Sequence, residues 1–267
     1  MTEIEKFYNS FNQEVATLQR SEENGESQEQ SFTRVCLDML TQVNETYNAV
    51  VAYDEKGLGT KGQHKINGYA ISENCDTIDL FLSIFTPSDN IESIEKAQID
   101  RGCTRITNFF SKSFFNNYEN EVAETSSIFE FAHQLATSQA IRNNLIRVNA
   151  FILTNNRYKG EVPLPKDVNG HKIFYNIIDI EKLYSISAQS RLPIQLDLTE
   201  HNIEPSCLPI PTGTEDYDGY LTFLPGSFLA LLYEQYGFKL LEQNVRSFLQ
   251  FRAGINRGIK ETIMKRP

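Results

Sequence analysis

The chain has 267 residues, 40% of them hydrophobic, and a net charge of -10 at neutral pH. Such a length and apolar content can bury one large core or two small ones, which excludes a chain that is disordered throughout. The acidic balance excludes attraction of the whole surface to nucleic acid or anionic membrane, so any basic stripe must be local. Cys36, Cys75, Cys103 and Cys207 stand singly, with no CxxC pair and no zinc-type spacing to a histidine, as reduced thiols of a cytoplasmic protein do. The start, Met1 to Lys6, lacks the pattern of a secretory signal. Apolar stretches such as Phe228 to Tyr233 fall far short of the about 20 residues that a bilayer requires, so no membrane partner is expected.

Ile4, Phe7, Tyr8, Phe11, Val15 and Leu18 recur at helical spacing, and a polar run from Ser21 to Ser27 ends that helix as a linker. From Phe32 a second helix carries apolar residues on more than one side, which predicts packing between layers, with Arg34 and Asp38 on its polar face. Three strands follow, at Ala49 to Tyr53, Ile66 to Ile71 and Thr77 to Phe85. Long helical stretches are read at Ser93 to Tyr118 and Ser126 to Asn143, then strands at Arg147 to Thr154 and Lys172 to Asp179, and a short helix from Ile180 to Ser187. This order predicts an α/β fold, a central mixed sheet flanked by helices. Beyond Pro193 the pattern changes. A strand at Ile194 to Leu198, a loop with Pro205, Pro209 and Pro211, a strand at Tyr220 to Leu224 and a helix from about Gly226 make an α+β extension. The expected divisions are therefore 1–30 (helix and linker), 31–192 (α/β domain) and 193–267 (extension).

Few residues carry chemistry at a recognisable spacing. The glycines of Gly57 to Gly62 lack the strand-before, helix-after context of a phosphate loop, no serine sits in a GxSxG elbow, and His64, His133, His171 and His201 are scattered. His64 alone borders a strand pair. Paired acids near strand ends are Asp54 with Glu55, Asp76 with Asp79, and Asp179 with Glu181; they suit either chemistry or solvated turns, and Asp76 suits the closing of a hairpin. The helix from Phe228 runs into a basic end with Arg246, Arg252, Arg257, Lys260, Lys265 and Arg266, able to meet phosphates or simply to be a solvated face.

The segments Leu240 to Leu249 and Gly254 to Ile263 resemble a signature of the AIPR family, bacterial proteins named for abortive infection and phage resistance. Ile66 to Glu73, Asp79 to Phe85 and Ile177 to Tyr184 resemble further parts of it. Longer members continue past the equivalent of Pro267, so the resemblance implies an amino-terminal region whose partners include the remainder of its own chain, with a homo-oligomer also compatible. It further implies a restriction-endonuclease-like domain, in which an acid at the start of the second strand and an acid-x-lysine triplet on the third hold a divalent metal. Those positions carry Asn67 and Leu82-Ser83-Ile84 here. The expectation is thus a nuclease-fold module with no intact metal site and no cofactor, acting in regulation or recognition in phage defence, with nucleic acid met through Arg246, Arg252, Arg257 and Lys260. The alternative is an active Mg²⁺-dependent nuclease drawing on Glu45, Asp54, Asn67, Asp76 and Asp79. On the third strand Ile78, Leu80, Leu82 and Ile84 share one side. Leu82 and Ile84 are expected to be buried against the helix that begins near Phe32, with Asn67 on the neighbouring strand satisfied by protein hydrogen bonds.

Overall fold

The computed structural model describes residues 2–21, 27–43, 45–57, 59, 62–189, 196–201, 203, 205–210 and 219–236. They fall in two compact units, 1–188 and 189–267. In the first, helices α1 (Glu3–Ser21) and α2 (Gln28–Gln42) precede strands β1 (Val50–Lys56), β2 (His64–Ile71) and β3 (Thr77–Ile84). Helices α3 (Lys96–Phe115), α4 (Phe129–Thr137) and α5 (Gln139–Asn144) follow, then β4 (Arg147–Thr154), β5 (Lys166–Val168), β6 (His171–Ile178) and α6 (Ile180–Gln189). The six strands form one mixed sheet in the order β1-β2-β3-β4-β6-β5. Its β1, β2 and β3 are antiparallel neighbours, β3, β4 and β6 are parallel, and β5 is an antiparallel edge.

Alternation along β3 builds a core on each face. Ile78, Leu80 and Leu82 join Ile99, Ile106, Phe109 and Phe131 under α3 and α4. Phe81 joins Phe11, Phe32, Leu37 and Leu183 under α1, α2 and α6. The aliphatic row of β3 therefore faces α3, not α2 as its pattern had suggested: alternation says which residues share a side, and only the crossover from β3 to β4 decides which helix covers it. α1 belongs to this unit, since Tyr8, Phe11 and Val15 are buried in it.

Several boundaries shift for local reasons. α2 starts at Gln28, before Phe32, because Ser27 caps it in a box with Gln30. The helix expected from Ser93 spans Lys96 to Phe115, and the one expected from Ser126 divides at Ser138, whose side chain caps Ile141. The β2–β3 turn is closed by Ser72, whose hydroxyl donates to Asp76 Oδ1 at 2.7 Å and accepts from the Asp76 and Thr77 amides.

The second unit contains a two-stranded sheet of β7 (Cys207–Ile210) and β8 (Gly219–Thr222) and a helix α7 (Gly226–Tyr236). Leu198 to His201 is a 3-10 turn, not the end of a strand, and β7 lies in what had been read as a proline loop. The basic residues Arg246, Arg252, Arg257 and Lys260 lie outside the described residues.

Candidate functional site: the β2–β3 gap and its cleft

β2 and β3 pair only where Gly68 to Ile71 faces Ile78 to Phe81. Past that point β2 side chains replace the ladder. The Ser83 amide donates to Asn67 Oδ1 at 2.9 Å, and Lys65 Nζ donates to the Ser83 carbonyl at 2.9 Å. On its β2 side Ser83 is thus satisfied without a strand partner, as burial demands, while its other side pairs with β4 at Leu153. Asn67 Nδ2 donates to Glu29 Oε1 at 2.8 Å, while Lys65 Nζ lies 2.6 and 2.7 Å from the two Glu29 oxygens. Glu29 reaches this position because the capping box starts α2 one residue earlier, and the positive end of the helix dipole favours a carboxylate there. Asn67 is fully buried, so the cost of desolvating its amide is offset only by these bonds. Gly68, next along β2, also meets α2: a Cβ there would lie 3.2 Å from Leu37 and 2.8 Å from the Val50 carbonyl. Two successive residues turned to one helix mark a slip in the strand's alternation, and it is this slip that opens the gap.

A cleft of about 190 Å³ lies beside the gap, lined by Leu82 and Ile84 and by the charged Glu29, Lys65, Arg101 and Arg105. Gly102 of α3 faces this lining with room for a Cβ, which would sit in ordinary contact 3.4 Å from both Leu82 and Ile84. Arg105 is 8% exposed. Its Nη2 donates to Glu55 Oε1 at 2.7 Å and to the His64 carbonyl at 3.0 Å. Its Nε has no acceptor among the described residues. Burial works against the charge of Glu55, but hydrogen bonds from Tyr53 and Arg105 outweigh it and hold the carboxyl below its ordinary value.

Of the residues singled out from sequence, Asp54 and His64 are brought together. Asp54 accepts from His64 Nε2 and from the Tyr118 hydroxyl, each at 2.8 Å. Burial opposes its charge, yet these two donors prevail and lower its pKa. Burial and the Asp54 carboxylate together push the Tyr118 hydroxyl up. Asp79, also buried, accepts from Thr46 at 2.9 Å and Asn149 at 2.8 Å near the opposite end of β3. Glu45 is exposed. Asp179 caps α6 through the Lys182 amide at 2.9 Å. Of the candidates Glu45, Asp54, Asn67 and Asp79, Asn67 alone is bonded at the gap. Among the described residues no group of three or more His, Cys, Asp or Glu side chains is placed to hold a metal ion.

Sequence reasoning passed over Glu29, Lys65, Arg101 and Arg105. A signal for two of them was present. Ser27-Gln28-Glu29-Gln30 is a capping box that puts Glu29 in the first turn, and Lys65 precedes Asn67 by two, on the same side of a regular strand. Nothing local marks the arginines, which reach the cleft only through the packing of α3.

No helix among the described residues is long and apolar enough to cross a membrane. Neither a curated protein nor a solved structure matches the chain. Residues 32–185, which run from within α2 to within α6 and include the whole sheet of the first unit, match the family model of the abortive infection phage resistance protein N-terminal domain, and the chain therefore belongs to that family.

Proposed function

We propose that this chain is the amino-terminal, recognition or regulatory part of a phage-defence protein, built on a nuclease-type fold that works without metal chemistry. Family membership supports the defence role. The helix, three antiparallel strands, helices and parallel fourth strand support the nuclease-type fold. The observation that carries the absence of metal chemistry is the Lys65 ammonium, held between both oxygens of Glu29 and the Ser83 carbonyl. That is the gap between second and third strands in which such a nuclease would place its cation. A hard divalent ion needs several oxygen ligands there. The donor set does not fit one: the gap offers a single carboxylate, already bonded to Lys65 and Asn67. A tethered ammonium fills the role of cation structurally and supplies no Lewis acid for hydrolysis.

The test is to incubate the purified chain with plasmid and single-stranded substrates in Mg²⁺ or Mn²⁺. All substrates should stay intact; cleavage that survives repurification and is lost in Glu29→Gln or Asp79→Ala would overturn the reading. Nucleic-acid contact through the basic end belongs to the same proposal. Changing Arg252, Arg257 and Lys260 to alanine should flatten the dependence of log affinity on log salt, because fewer counterions are released. An unchanged slope would assign those residues to a solvated face.

A further inference from the structure

We propose that the cleft between β3 and α3 is a phosphate-binding site, with Arg101 and Arg105 as its anion clamp. The inference deepens the metal-free reading and rests on it, since it gives the site a ligand in place of a reaction.

Charge is the first argument. Of the cleft's acids and their near neighbours, Glu29 is matched by Lys65 and Glu55 by Arg105. Arg101 has no carboxylate partner among the described residues, only the Ala97 carbonyl, which accepts from its Nε at 3.1 Å. The cleft thus carries an excess of positive charge within an acidic protein. Satisfaction is the second. Arg105 is more than nine-tenths buried, its Nη2 is committed to protein oxygens, and its Nε is left without an acceptor. Nε is itself buried, so a ligand oxygen would meet it only after a small shift of the side chain, and that contact would remove the cost of a guanidinium donor without a partner. Geometry is the third. Arg101 and Arg105 are four residues apart on α3, so they stand one above the other on one face and can close on a single group. Guanidinium forks suit oxyanions, and donors from two separate planes suit a tetrahedral phosphate better than a flat carboxylate. Size is the fourth. About 190 Å³ lies below the range of about 300–1,000 Å³ typical of drug-sized ligands, so the cleft takes a phosphate or a small phosphate ester rather than a large molecule.

The experiment is calorimetric titration of the whole chain, at fixed ionic strength, with inorganic phosphate, a nucleoside 5′-monophosphate, the same nucleoside unphosphorylated, and acetate. Saturable binding of inorganic phosphate is expected, with no binding of the bare nucleoside. Arg101→Gln and Arg105→Lys should each weaken it about tenfold, the loss of one charge-assisted contact. Arg101 is exposed, so its variant keeps the test valid should Arg105→Lys fold poorly. Tighter binding of the nucleotide would assign the phosphate to a nucleotide, and equal binding would assign it to the free ion. No saturable phosphate binding, binding unchanged in both variants, or acetate bound as tightly as phosphate would overturn the proposal. Neither variant alters Lys65 or Asn67, so such a failure leaves the metal-free reading intact, and that reading falls instead to metal-dependent cleavage or to metal binding at Glu29.

Discussion

Lys65 bonds both oxygens of Glu29 and the carbonyl of Ser83. Its ammonium is the only cation on Glu29 among the described residues, and its side chain keeps 10% of its surface exposed against 25% for Glu29. Removing one partner of a fully buried pair costs about 3–5 kcal/mol; with Glu29 partly in water, Lys65→Met should cost about 2–3 kcal/mol, read from the urea midpoint. A loss below about 0.5 kcal/mol would show the pair to be ornamental. Asp54 offers a separate test by pH. Its carboxyl is held below its ordinary value by His64 and Tyr118, so the unfolded chain takes up the proton first as pH falls. The stabilisation is present above the ordinary aspartate range and is lost as pH drops through the lower folded value. Asp54→Asn should therefore flatten the acid limb of the stability-against-pH curve, measured by urea unfolding at several pH values. An acid limb as steep as that of the parent would assign it to other groups, Glu55 first among them, whose carboxyl is lowered in the same way.

At the scale of elements, the gap exists because β2 slips at Asn67 and Gly68. Gly68 has no room for a side chain, with the Val50 carbonyl 2.8 Å from where a Cβ would stand. Gly68→Ala should push β1 from β2 and cost about 1–3 kcal/mol by denaturant unfolding. Gly102→Ala is the contrast, since its Cβ would meet only side-chain carbons, at 3.4 Å or more, inside a helix. It should be neutral or stabilise by up to about 1 kcal/mol. These elements were legible to different depths. Strands such as β4, rich in β-branched and aromatic residues, stood out at their true ends because composition and period agree there. Sharing of a face along β3 was legible too, but the helix that covers it was not, because that is a property of chain crossover. The gap itself escaped. A slip of one residue, which turns Asn67 and Gly68 alike toward α2, has no signature in hydrophobic period. β7 escaped for a simpler reason, its Pro209 arguing against a strand until the short edge pairing with β8 is seen.

For the whole molecule, the first unit holds two cores on either face of one sheet, and α1 contributes Phe11 and Val15 to one of them. The fragment 1–188 should therefore unfold in a single cooperative transition, followed by circular dichroism. Removing 1–26 as well should abolish that cooperativity, because Phe32 and Leu37 would lose their cover. A shortened fragment that still melts sharply would make α1 an accessory. On the function proposed above, a protein-borne ammonium holds the place of a metal in a nuclease-type fold, and the domain recognises rather than cuts. Calorimetric titration of Mg²⁺ and Mn²⁺ into the intact chain tests it most directly. No saturable binding of either ion is expected; micromolar binding of one metal, lost in Glu29→Gln, would overturn the proposal.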